Sequence, residues 1–409
     1  MYAPELAQEL NGHEWLKDLR TGMAIGATEF NYPSHEQEEW RYSPIDDLEL
    51  DRFAPAIEKP QAIPEEFTSQ SDNFHSILTV DGFLFSHDEP STYEIFSVAD
   101  REDPIEFASP IDMLGSMNLA FSPDPILIRV PRDSQVEKPL VINHLWQQSE
   151  AASFPLIHID IEENAKIEIV EIFHDSEVSA LVVPETKIVV GNSANVKYQQ
   201  VQNLGPNAVK LGSLDVSVGQ QGNFHGAIAA IGGSYARLKT VCSLNGRGAS
   251  AKISAIYHGD RDQVLDFRTR QSHMARDTYS ELLFKGVLDD QSNSIYTGLI
   301  HVDNEAPGTN AFQTNRTLKL CDRAWAESVP NLEIENNDVK CSHASTVSPV
   351  DEDQRFYLES RGIQTAEAEK LIVDGFLQEV VSSLPVDGIN GWIAELFNQK
   401  LNTREFNGG

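Results

Sequence analysis

Residues 249–259 read ASAKISAIYHG: small and polar residues, an apolar anchor at Ile253, then alternation into an aromatic. Similar runs recur at 163–174 (ENAKIEIVEIFH), 193–203 (SANVKYQQVQN), 221–233 (QGNFHGAIAAIGG) and 291–303 (QSNSIYTGLIHVD). Their anchors are Ile167, Val196, Phe224, Ile253 and Ile295, separated by 29, 28, 29 and 42 residues (for example 196 − 167 = 29). Strands alternating with turns at a near-constant period predict stacked coils, each burying its apolar side against the next. The expectation is a mainly β fold with a β-helix, or solenoid, core and one insertion before Ile295. A β-sandwich, which needs turns but no repeat, is the alternative.

Outward from this core, three zones are expected: a mixed, partly helical domain over 1–105, the β-helix over 106–350, and a helical domain over 351–409. In the first zone, PELAQEL and GHEWLKDLRTG read as short helices ended by glycine, and the proline-rich 55–67 as an extended connector. HSILTVDGFLFS (75–86) reads as a hairpin turning at Asp81-Gly82. In the last zone a helix is predicted from a Thr365 cap, with Ile372, Phe376 and Val380 as its stripe. A second helix would present Trp392, Leu396 and Leu401. This pair could cap the open end of the coil or dock a partner.

The 409 residues carry a net charge of −32 and are 40% hydrophobic. Such a charge disfavours nucleic acid and anionic membranes, and its plain consequence is solubility. No apolar run approaches the roughly 18 residues of a membrane span. The N-terminus lacks the basic start and apolar middle of a secretion signal. Three widely spaced cysteines argue for a reducing, cytoplasmic setting rather than a disulfide framework.

Most catalytic motifs are missing. There is no phosphate loop, no H-E-x-x-H, no C-x-x-C and no G-x-S-x-G, so neither ATP hydrolysis nor a self-contained enzyme site is expected. The G-x-G-x-x-A at 246–251 precedes a strand rather than a helix, so it reads as a turn between coils. Cys242 and Cys321 lie in apolar β-like runs and read as core residues.

Cys341 differs. In DVKCSHASTV (338–347) it stands two residues before His343. On a strand the two side chains share one face, about 6.5 to 7 Å apart along the backbone. Thiolate and imidazole together suit iron or an iron–sulfur cluster. Two ligands do not complete such a site, and a buried thiol beside an ordinary histidine fits the spacing as well.

The block PNLEIENNDVKCSHASTVSPVDEDQRFYLESRGI (330–363) resembles the SufB/SufD family of iron–sulfur cluster assembly proteins. Pro330, Leu332, Glu333, Ile334, Asp338, Val339, Lys340, Ser342, His343 and the run Phe356-Tyr357-Leu358, Ser360-Arg361-Gly362-Ile363 fit the family pattern. TNAFQTNRTLKL (309–320), with Gln313 and Asn315, and EEWRYSPID (38–46) are similar to further family segments. The sequence departs at Ala344-Ser345-Thr346, where the family has Gly-Ala-Thr, at Asn337, where an acid is common, and at Cys321, where serine is. The lost glycine bears on the backbone beside His343. Length and the lack of any cysteine before Cys242 resemble the SufD-type members.

That resemblance implies a right-handed parallel β-helix flanked by N-terminal and C-terminal helical parts. It implies a heterodimer with a SufB-like subunit, a SufC-like ATPase bound to the C-terminal part, and a possible homodimer in isolation. It implies a scaffold rather than an enzyme, with a transient iron–sulfur cluster shared with the SufB-like chain. His343 and Cys341 match residues implicated as metal ligands, and Ile372 and Phe376 would present the ATPase docking surface. The alternatives are a secreted-type β-helix carbohydrate-active enzyme and a purely structural partner without metal ligation.

Overall fold

The computed structural model describes residues 2–402 except 65–66, 68–71 and 175. The proline-rich 55–67 therefore lies partly outside the described residues. Among those described, the chain winds into a parallel β-solenoid whose coils alternate between two sheets, of twelve (sheet I) and ten strands (sheet II). Sheet I runs from Glu94–Ser97 to Trp325–Ile334, and sheet II from Phe83–His87 to Val339–Pro349.

The corners explain the period. Asp133, Asn164, Ser193, Gln221, Gly248, Asp277 and Gly308 all adopt left-handed backbone, with φ between 54° and 78°. Each donates its N–H to a carbonyl of the next coil, from Asp133 to Glu163 O at 3.0 Å through to Gly308 to Asp338 O at 2.7 Å. Short polar residues and glycine tolerate this region, so such residues punctuate every coil.

The coil is more regular than the anchors suggested. One column of sheet II runs Ile167, Val196, Phe224, Ala251, Ser280, Ala311 and Cys341. Its steps range from 251 − 224 = 27 to 311 − 280 = 31 residues. Ile253 pairs with Gly226, two residues along, and Ile295 lies in sheet I opposite Asp266. No insertion exists. Small residues hold the column at Ala251, Ser280 and Ala311 because Tyr257, Phe267, Phe284 and Tyr296 fill that part of the lumen.

The hairpin forms as expected: His75–Val80 and Phe83–His87 are antiparallel, with φ 50° at Asp81 and 88° at Gly82. It pairs with Leu140–Leu145, so sheet II begins within the first 105 residues. Helices α1 (Pro4–Glu9) and α2 (Glu14–Gly26) precede it. α2 continues through Gly22 rather than ending there, because Leu16, Arg20 and Ala24 are buried along one side. The Arg20 guanidinium donates to the carbonyls of Asn11, Ser122 and Pro123, tying α2 to the end of α3 (Met113–Phe121).

At the other terminus stand α4 (Glu352–Ser360), α5 (Thr365–Val381) and α6 (Asn390–Asn402). Gln364, not Thr365, occupies the cap of α5, and no side chain caps it. The buried residues of α5 are Ala368, Val373, Leu377 and Val380, with Ile372 and Phe376 half-buried at the margin. In α6 they are Ile393, Phe397 and Leu401; Trp392 points outward. The two helices do not cap the coil. They cover the outer face of sheet II at Val170, Val201, Ile256 and Val287. Lys285 Nζ donates to Phe376 O at 2.7 Å, and Lys400 Nζ to Ile231 O at 2.6 Å and His258 O at 2.8 Å. Among the described residues nothing covers the C-terminal end of the solenoid.

Candidate functional site

The open end is built by the last coil, Trp325–Ile334 and Val339–Pro349. Among the described residues each strand pairs with another strand on one side only, which leaves an edge suited to strand addition. Trp325, Ile334 and Val347 expose 41%, 42% and 40% of their surface on this coil. Apolar exposure beside unpaired strand edges marks a surface suited to another chain.

Period-2 geometry carries the candidate pair into the lumen. Cys341 continues the buried column above Ala311, and His343 follows Tyr198, Gly226, Ile253, Leu282 and Gln313. Both side chains therefore face inward, where the missing next coil leaves them accessible: Cys341 is half-buried and His343 exposed. Burial pushes the Cys341 thiol up, opposed by a hydrogen bond from the Ala311 backbone, so it is not poised as a free thiolate. Among the described residues no group of three or more His, Cys, Asp or Glu could hold a metal ion. The pair is half of a ligand set at most.

The Ala344-Ser345 departure has a structural answer. Ala344 sits within the strand opposite Thr314, away from left-handed backbone, so no glycine is required there. Ser345 faces the lumen and bonds to Ser328 Oγ at 2.7 Å.

The other cysteines divide. Cys242 is buried in the lumen and its thiol is pushed up to about 12, as expected of a core residue. Cys321 is half-buried in the turn after Lys319 rather than in a strand. The glycines at 246 and 248 form a turn before the strand Ser250–Gly259, which removes the dinucleotide reading.

Two features were not visible in the sequence. The first is a charged network in the lumen. Glu171 accepts from His144 Nε2 at 3.0 Å, Thr186 Oγ1 at 2.8 Å, Gln200 Nε2 at 3.2 Å and the Tyr198 hydroxyl. Burial would raise its carboxyl, but these partners hold it at about 2. Nearby, burial lowers Lys210 to about 7. The second is the seat of the Trp40-Arg41-Tyr42 element on the outer face of sheet I. Arg237 lies over the Trp40 ring at 3.8 Å, and Arg268 Nη2 donates to Arg41 O at 2.8 Å. Beside it, α3 encloses a cavity of about 210 Å³ lined by Asp112, Asn118, Glu185 and Lys239. Burial, together with Asp215 and Asp112, raises the Glu185 carboxyl to about 7.

Residues 144–376, more than half the chain, match the family described as "SUF system FeS cluster assembly, SufBD core domain". The chain belongs to the SufB/SufD family. It is of the SufD type: Escherichia coli K12 iron–sulfur cluster assembly protein SufD is 25% identical over 393 residues, 94% of this chain and 90% of that protein. Bacillus subtilis SufD is 27% identical over 275 residues, 66% of this chain and 63% of its own length. A SufBD family protein of Mycobacterium tuberculosis is 28% identical over 315 residues, 75% and 79% of the two chains. The SufBD core match spans the lumen network, the open end and most of α5. No helix is long and apolar enough to cross a membrane among the described residues.

Proposed function

We propose that this SufD-type chain is a non-enzymatic scaffold subunit of a cytoplasmic iron–sulfur cluster assembly complex. It pairs through its open end with a SufB-like subunit, and the nascent cluster forms between the two chains as shared cargo. His343 supplies an iron or cluster ligand. Cys341 is a supporting ligand or an interface thiol. The observation that carries this reading is the inward-facing Cys341–His343 pair on an edge strand. Imidazole and thiol are suitable donors, too few for a closed site, at a surface a second chain can complete. The same edges permit a homodimer when the chain is isolated.

A SufC-like ATPase docks at the C-terminal helices and supplies the nucleotide-driven motion, since this sequence has no phosphate loop. Ile372 and Phe376 line a groove there with Leu371 and Tyr357, which are 43% and 58% exposed. Family membership favours assembly over the carbohydrate-active alternative.

Anaerobic reconstitution with iron and sulfide, with and without the SufB-like partner, tests the scaffold role. Cluster absorbance should appear in the paired chains and stay low in either chain alone. Equal cluster formation by the SufB-like chain alone supports instead a purely structural partner that binds no metal.

A further inference from the structure

The lumen just beneath the last coil holds polar atoms that no described residue satisfies. Gln313 is 1% exposed, yet neither its Oε1 nor its Nε2 has a hydrogen-bond partner. Two residues on, Asn315 donates Nδ2 to Ser328 Oγ at 2.9 Å, while its Oδ1 has no partner. Buried amides in folded proteins are almost always paired, so an orphaned carboxamide asks for a specific partner.

Register supplies one. Gln313 stands opposite His343 on the neighbouring parallel strand, and both side chains face inward. Adjacent strands lie about 4.8 Å apart, which puts an imidazole within reach of a glutamine side chain. A third residue makes the room. Across the lumen in sheet I, a Cβ on Gly298 would lie 2.3 Å from Gln313 Nε2 and 2.6 Å from Oε1. Gly298 does not adopt positive φ, so its backbone gives no reason for glycine. The space it leaves is the space the Gln313 amide occupies. Asn315 is tethered to Ser328, whereas among the described residues no hydrogen bond holds the Gln313 amide.

We infer that Gln313 is the positioning residue for His343, its Oε1 accepting the imidazole N–H that faces away from the metal. The inference rests on the ligand role proposed for His343. A metal-bound imidazole uses one ring nitrogen, and the other carries a proton that needs an acceptor. That outer bond fixes the tautomer and the ring plane. Gly298 keeps the amide free to turn between the lumen wall and the ring. In sequence terms this gives Gln313 and Gly298 one shared purpose.

The test is a Zn(II) titration of the full chain in complex with its SufB-like partner, zinc standing in for Fe(II), followed at the ring nitrogens of His343, labelled in this chain only, by ¹⁵N NMR. His343→Ala identifies the signal. Wild type should bind zinc through one ring nitrogen and retain a slowly exchanging N–H on the other. Gln313→Met, similar in length but without an acceptor, should weaken binding roughly 10- to 100-fold and expose that proton to fast exchange. Gln313→Glu should restore both to near wild type. Gly298→Ala should behave like Gln313→Met. Because Gln313→Met deletes two unpaired buried polar atoms, its melting temperature should not fall, which separates positioning from folding. Zinc that leaves the wild-type His343 signal unmoved sinks the ligand role itself. Zinc bound at His343 with equal affinity and exchange in Gln313→Met, or no recovery in Gln313→Glu, sinks only the positioning role.

Discussion

Ser345 Oγ lies 2.7 Å from Ser328 Oγ, joining the last strand of sheet II to the last strand of sheet I across the open end of the solenoid. With the Asn315–Ser328 bond it forms a small polar clasp beside His343. An exposed hydroxyl pair contributes little to global stability, on the order of 0.5–1 kcal/mol. Its effect should be local. Ser345→Ala should leave the unfolding midpoint nearly unchanged while amide exchange across Val339–Pro349 speeds several-fold, read by hydrogen-exchange mass spectrometry.

The lumen is tight where aromatics fill it. A Cβ on Gly286 would lie 2.0 Å from the ring of Tyr257, which is fully buried and bonded to Thr317 Oγ1 at 2.9 Å. Gly286→Ala should therefore destabilise by about 3 kcal/mol or more, the upper range for overpacking. Denaturant unfolding of the purified variant checks this. Gly375, with nothing within 4 Å of its Cβ position, is the control and should tolerate alanine.

Acid should weaken the coil through His273. Burial, and then the neighbouring His301, lower its imidazole to about 4 from an ordinary 6.5, while Thr278 and Ser280 hold the ring at 2.8 Å. Between pH 4 and 6.5 the unfolded chain binds the proton and the folded chain does not, so stability rises with pH across that window. One group with this shift accounts for about 3 kcal/mol. His273→Gln should flatten the pH dependence of the unfolding midpoint over pH 4–6.5 by roughly that amount, with little change in slope above pH 7.

The groove between α4 and α5 should read out ATPase docking without disturbing the fold. Tyr357 and Leu371 are exposed there, whereas Ile372 and Phe376 also pack on the solenoid. Tyr357→Glu and Leu371→Glu should each lower affinity for a SufC-like ATPase at least tenfold, as expected for central apolar contacts. The melting temperature should stay within a degree or two. Calorimetric titration of the two proteins measures the affinity, and a thermal melt of each variant measures the stability.

Much of this was legible in the sequence because local chemistry and fold agreed. Asp81-Gly82 needs left-handed backbone at both positions, and it turns the hairpin. The i, i+2 spacing of Cys341 and His343 places them on one face of a strand, the face that the register turns inward. The coil period was legible from its corners, but its register was not. Ala251 and Ser280 carry the column where the pattern asks for a large apolar residue, so the pattern points to Ile253 instead. In α6 Leu401 is buried as expected, but the other two positions shift by one residue: Trp392 looks like a core residue yet faces outward, and Ile393 and Phe397 are buried instead. The contact between Gln313 and Gly298 joins strands of different sheets across the lumen, and no local pattern encodes it. The open end was equally hidden: nothing in the α5–α6 sequence says that the pair covers a sheet face rather than the coil's mouth.

The most direct measurement is iron bound per complex after anaerobic reconstitution of His343→Ala with both partners, compared with wild type. The account predicts that the complex still assembles, because the paired edges are backbone, and that it holds little iron or cluster. Wild-type iron and cluster content in the His343→Ala complex would contradict it.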